Sequence, residues 1–165
     1  CIGESISQHI TNDMYADYID LIIQIKKNIP NLEIIYRPHP SHGLKIFEDS
    51  LTSFGIEVRN NFAIKDELSN SIICLAISSS SLVEALLVNT IPISFNKSLK
   101  KLSIPFKDKF LGIESDDKYF LLENIKDLIN YEHLREPFIR SIISQKNYYF
   151  HPRKSNRLLD LIEKI

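Results

Sequence analysis

Residues 72–95 read IICLAISSSSLVEALLVNTIPISF, and their interpretation decides the fold. Ile72 to Ile77 form an unbroken apolar run, as expected of a strand covered on both faces. Four serines, 78 to 81, then lead into LVEALLVN, which is apolar almost all round and reads as a buried helix. IPISF follows as another buried strand. A strand, a hydroxyl-rich turn, a helix and a second strand in 24 residues is one turn of a parallel α/β fold.

The same alternation extends outward on both sides. Upstream, TNDMYADYIDLIIQIKKNIP places Tyr15, Tyr18, Ile19, Ile22, Ile25 and Ile29 on one helical face. Thr11 or Asn12 suits its start, and Pro30 its end. LEIIYR (32–37) reads as a β-branched strand, and SHGLKIFEDSLTSFG as a helix stopped by Gly55. IEVRN is a short strand and IKDELSNS a short helix. Downstream, 96–109 is basic and loop-like. From Asp117 the pattern is helical, with Tyr119, Leu122, Ile125 and Ile129 as its apolar face and acids at 116 and 117 complementing the dipole. Pro137 opens a further helix, and SNRLLDLIEKI ends the chain. The expected architecture is a Rossmann-like parallel sheet flanked by helices, with a helical C-terminal segment. Residues 1–165 form one domain, without repeat or linker.

Composition narrows the function. At 165 residues the chain is long enough for a real core, and its 44% hydrophobic and 25% charged content is that of an ordinary globular domain. Lys plus Arg total 20 against 21 Asp plus Glu, a formal charge of −1, so no polyanion-binding face and no nucleic-acid partner is expected. Cys1 and Cys74 lack metal-ligand spacing and read as reduced thiols. No apolar run reaches the ~18 residues of a membrane span, and no signal peptide is visible. A chain opening on Cys1 reads as a piece of a longer protein.

Ligands of such sheets bind beyond the carboxyl ends of the strands. Two segments of unusual composition stand there. In YRPHPSH, Pro38 biases Arg37, and Pro40 biases His39, toward extended backbone, so a stiff segment holds the imidazole at the strand mouth. The serines stand at a helix N-terminus, whose free N–H groups and partial positive charge suit an anion. Ser79 and Ser80 fit phosphate contact or a plain turn. Ser81 with Glu84 also spells a capping box, which needs no ligand. Without a Gly-rich turn, a dinucleotide site of the G-x-G-x-x-G kind is excluded. His39 and His42 lack further ligands, so no metal site is expected.

On these residues, GES near the start, IIYRPHP and ISSSSLVEALL, the chain resembles the C-terminal half of bacterial GT-B sialyltransferases of the lipooligosaccharide and polysialic-acid types. The shared marks are an HP motif and a Ser-Ser motif. Kdo transferases and CDP-glycerol glycerophosphotransferases carry similar pairs and remain alternatives, as does a non-catalytic nucleotide-binding module. The likeness covers about residues 1–95.

The resemblance implies one half of a GT-B fold that binds a CMP-sugar such as CMP-sialic acid and needs no metal or other cofactor. It implies that His39 stabilises or protonates the departing CMP, with Arg37 and Pro40 beside it. Ser79, Ser80 and Ser81 would hold the phosphate, Asn61 to Ile64 would meet the cytosine, and Glu84 would approach the ribose. The D/E-D/E-G motif that carries the family's general base is absent. The chain is therefore expected to be the donor half, inactive alone, with the glycan acceptor bound by an N-terminal domain outside it. The expected location is cytoplasmic. The basic, amphipathic end (Lys146, Arg153, Lys154, Arg157 with Leu158, Leu159 and Ile162) either packs on its own domain or touches the inner membrane.

Overall fold

The computed structural model describes residues 11–38, 45–59, 64–77, 80–97 and 106–150. Helix α1 (Asn12–Asn28) starts where Thr11 Oγ1 accepts from the Met14 N–H, the expected N-cap. At its other end, Lys26 Nζ donates to the carbonyls of Pro30 and Leu32, so the chain leaves the helix with its polar groups satisfied. Tyr15, Tyr18, Ile19, Ile22 and Ile25 are buried, as their spacing predicts.

Strand β1 (Ile35–Tyr36) and strand β2 (Glu57–Val58) pair in parallel, linked by α2 (Lys45–Ser53). Gly55, at φ +73°, makes the left-handed turn out of α2. After α3 (Ile64–Ser69), three strands run in parallel in the order β3 (Ile73–Ala76), β4 (Ile91–Phe95), β5 (Ile113–Ser115). Helix α4 (Ser80–Leu87) joins the first two of these strands. Helices α5 (Lys118–Asn130) and α6 (Glu136–Phe150) follow β5, separated by a short 3₁₀ turn.

The period of two along β3 sorts the helices into two layers. Leu75 and Ile77 pack with α1 and α5 on one face. Cys74 and Ala76 pack on the other with Leu82, Ala85 and Leu86 of α4 and Ile142 of α6. A strand covered on both sides is the α/β arrangement expected from the apolar run 72–77.

Three particulars differ from the sequence reading. Strand β5 falls where only loop and helix start were expected. It is three residues long, and its approach to β4 depends on Gly112, where an added Cβ would lie 2.7 Å from Pro92 Cγ. The core face of α5 is Leu121, Ile125 and Leu128, while Tyr119 is 71% exposed. The packing direction of α5 against α1, rather than its content of aromatics, selects the face.

The strands also form two ladders, not one. Ile34 and Ile35 face Ile72, Ile73 and Leu75 across a cavity of about 490 Å³ that passes between β1 and β3. The Tyr18 hydroxyl bridges the gap to the Leu75 carbonyl at 2.8 Å. Ile91 N–H bonds the Ile72 carbonyl, so by alternation the Leu75 carbonyl points away from β4 and toward β1.

Candidate functional site

The carboxyl ends of β1 and β3 set the site. Arg37 leaves β1 directly, and its Nη1 donates to Glu67 Oε2 of α3 at 3.2 Å. Both side chains are largely out of water, Arg37 at 21% and Glu67 at 10% exposure. An ion pair this buried loses much hydration, and its partial enclosure limits screening by salt. The other oxygen of Glu67, Oε1, is buried without a hydrogen-bond partner.

Helix α4 enters the same space from β3. Its sequence fixes its rotation: Leu82, Ala85 and Leu86 are driven into the core, which leaves Glu84 on the flank between core and solvent. Burial pushes the Glu84 carboxyl above its ordinary range, and the positive charge of Arg37 opposes that shift. Arg37 and Glu84, two residues singled out from separate motifs, therefore share one electrostatic environment. Among the described residues, no side chain bonds to the Glu84 carboxylate.

The serines divide. Helix α4 begins at Ser80, which is exposed at its tip, whereas Ser81 is 2% exposed. The Ser81 backbone carbonyl accepts from the buried Cys74 thiol at 3.8 Å. A capping box at Ser81 is thereby corrected: helix α4 begins at Ser80, so Ser81 is already its second residue, two positions past the N-cap. His39, Pro40, Asn61 and Ser79 lie outside the described residues, as does the C-terminal stretch 151–165.

Two polar groupings at the same edge of the sheet escaped the sequence reading. Glu67 is the first, seated in a stretch that reads locally as an ordinary polar helix. The second lies past β4, where Asn96 Nδ2 donates to Glu114 Oε1 at 2.6 Å. Close by, Lys97 pairs with Asp17, and Lys118 Nζ donates to Asp20 Oδ2 at 2.6 Å, tying α1 to this edge. Asp117 Oδ1 caps α5 by accepting from the N–H groups of Tyr119 and Phe120. Its acid was expected at a helix start, and it acts there as the N-cap.

No family model and no curated protein matches the chain. Among solved structures, it is similar to a mutant of S. aureus TarM in complex with Fondaparinux, alpha-GlcNAc-glycerol and UDP. The TM-score is 0.67 at 14% identity, covering 97% of this chain and 35% of that one. At this identity the likeness bears on the fold: parallel strands flanked by helices, matching one half of a GT-B architecture. The chain spans about a third of the length of the TarM chain.

Proposed function

We propose that this chain is the nucleotide-sugar-binding half of a glycosyltransferase. One observation carries the reading: Arg37 leaves the carboxyl end of β1, while helix α4, with Ser80 exposed at its tip and Glu84 along it, leaves the carboxyl end of β3. A donor nucleotide needs both kinds of group in one place, a cation for phosphate and an acceptor for sugar hydroxyls. The GT-B-like fold, the exposed Ser80 at the tip of α4 and the UDP held by the TarM structure support it.

In this reading the acceptor hydroxyl attacks the anomeric carbon of the donor, and the bond to the nucleotide phosphate breaks. Negative charge then grows on the departing phosphate. Arg37 and the start of α4 are fixed before the reaction, so they stabilise that charge without reorganising. The HP histidine, His39, would stabilise the same oxygen or protonate it. Glu84 would accept from the ribose. The base that activates the acceptor would come from a second domain.

The sialyltransferase resemblance makes CMP-sialic acid the preferred donor. The TarM complex favours a second reading, a uridine nucleotide sugar. Calorimetry with CMP, CDP and UDP on the purified chain separates them. Tightest binding to CMP supports sialyl transfer, to CDP a glycerophosphotransferase, and to UDP the TarM-like donor. Glu84→Gln and His39→Ala are expected to weaken whichever binds. A chain that binds none of the three is not a donor domain, and the reading falls.

A further inference from the structure

Helix α1 starts at the carboxyl edge of the sheet. Near its first turn the Tyr15 hydroxyl meets that of Tyr36, the last residue of β1, and Asp17 pairs with Lys97 just past β4. At its far end Lys26 reaches the Leu32 carbonyl, ahead of β1. The helix therefore runs against the strands, and the chain that enters it arrives at the carboxyl edge. A strand lying just ahead of α1 would point the same way as β1 and β3.

The crossovers of the fold fix where such a strand lies. Helices α1 and α2 share one face of the sheet, where the rings of Tyr15 and Phe47 stand 5.2 Å apart. With α2 on that face, the step from β1 to β2 leads away from β3. A right-handed connection through α1, on the same face, must step in the same direction. The strand ahead of α1 then falls on the β3 side of β1, in the gap between the two ladders.

That gap has the form of a strand's place. The Ile34 and Tyr36 carbonyls serve β2, so by alternation the main-chain groups of Ile35 turn into the gap. The Ile72 carbonyl serves β4, so those of Ile73 turn into it from the other side. Ile22 and Ile25 of α1 and Ile125 of α5 line it, as do Glu67 and Asn70 of α3. Its walls run from Leu32 to Ile35 and from Ser71 to Leu75, room for about four extended residues at ~3.3 Å each. A turn from strand to helix takes about 2–6 residues, so the ten residues ahead of Thr11 can supply both.

We infer that the chain running into α1, within residues 1–10, adds a parallel strand between β1 and β3 and joins the two ladders into one sheet. Two inner edges that would otherwise stand open are thereby paired. The strand order reverses at this place, with β1 and β2 on one side and β3, β4 and β5 on the other. Ligands of such sheets bind in the crevice beyond the carboxyl ends at the reversal. The turn into α1 therefore opens between Arg37 and Ser80 and forms part of the same site, a consequence that rests on the nucleotide-sugar reading; the strand itself does not.

The test is NMR on the intact chain without nucleotide, read at the Ile35 and Ile73 amides. Both are expected to show nuclear Overhauser contacts to residues ahead of Thr11 and to exchange slowly with solvent. A chain begun at Thr11 loses the contacts, and exchange at these two amides quickens about a hundredfold or more, while Ile93 in the middle of β4 keeps its protection. Should the shortened chain not fold, the contacts in the intact chain decide. Contacts running directly from Ile35 to Ile73 would mean that β1 and β3 pair with each other, and contacts that grow with protein concentration would mean that a second copy fills the gap. Either result overturns the inference, as does fast exchange of both amides in the intact chain. Adding CMP or UDP is then expected to shift the resonances of residues ahead of Thr11. Strand contacts without that shift uphold the inserted strand and remove its turn from the nucleotide site.

Discussion

Replacing Gly112 with Ala tests whether the carboxyl edge depends on the close seating of β5 against β4. A Cβ at position 112 would lie 2.7 Å from Pro92 Cγ and 3.2 Å from the Pro92 carbonyl carbon, with the carbonyl oxygen closer still. Two of these atoms are backbone, so no rotamer change relieves the clash. Strand β5 must move away from β4, loosening the pairs Ile93 to Ile113, Ser94 to Glu114 and Phe95 to Ser115. Overpacking of this kind costs about 1–3 kcal/mol, and each weakened ladder bond adds about 1 kcal/mol. A loss of about 3 kcal/mol lowers Tm by roughly 6–12 °C for a domain of this size. Urea and thermal unfolding followed by circular dichroism measure it. The control is Gly55→Ala, where a Cβ has open space and only φ +73° is unfavourable, at about 1–2 kcal/mol. A Gly112→Ala variant no more destabilised than Gly55→Ala would show that β5 does not depend on this close approach.

Thr90→Val keeps the shape of a buried residue but removes the hydroxyl that donates to the Leu68 carbonyl at 2.5 Å, with the Ser71 carbonyl at 3.2 Å. A loss of about 1–2 kcal/mol is expected by urea titration, and a neutral result would mean that water replaces the bond. Glu84→Gln has a pH signature. Burial raises the folded-state pKa of Glu84, so the wild type binds a proton more readily folded than unfolded, and this contribution is lost as pH rises through the folded value. The variant should therefore melt at or above the wild type at neutral pH, the difference closing on acidification, while its nucleotide affinity falls. A variant that melts lower at neutral pH would show that Glu84 stabilises the fold.

The legible parts of the fold were those written locally. Thr11, the isoleucines of α1 and Pro30 define a helix without outside help. The run 72–95 carries both faces of a buried strand in its composition. Strand β5 was not legible because three residues hold too little periodicity, and the feature that seats it, Gly112 against Pro92, joins positions on different strands. The exposed Tyr119 misled for a related reason: an amphipathic pattern gives a stripe, and the neighbour decides which edge of the stripe is covered. In the site, Arg37 and Glu84 stood out beside prolines and serines. Glu67 did not, because its importance lies in a bond across 30 positions of sequence. Nothing in IKDELSNS distinguishes a buried anchor from a solvated acid.

The core and the site are coupled through the rotation of α4. Successive residues on a helix are about 100° apart, so a slip of one position would exchange Glu84 with Val83 or Ala85. Ala85 is fully buried between β3 and α6, where a carboxylate would have neither water nor a cation. Leu82 and Leu86 above and below it hold the register from the apolar side. The direction of Glu84 is therefore enforced by its neighbours' burial: among the described residues no side chain bonds its carboxylate, so the apolar register of α4 is what holds this acceptor in place.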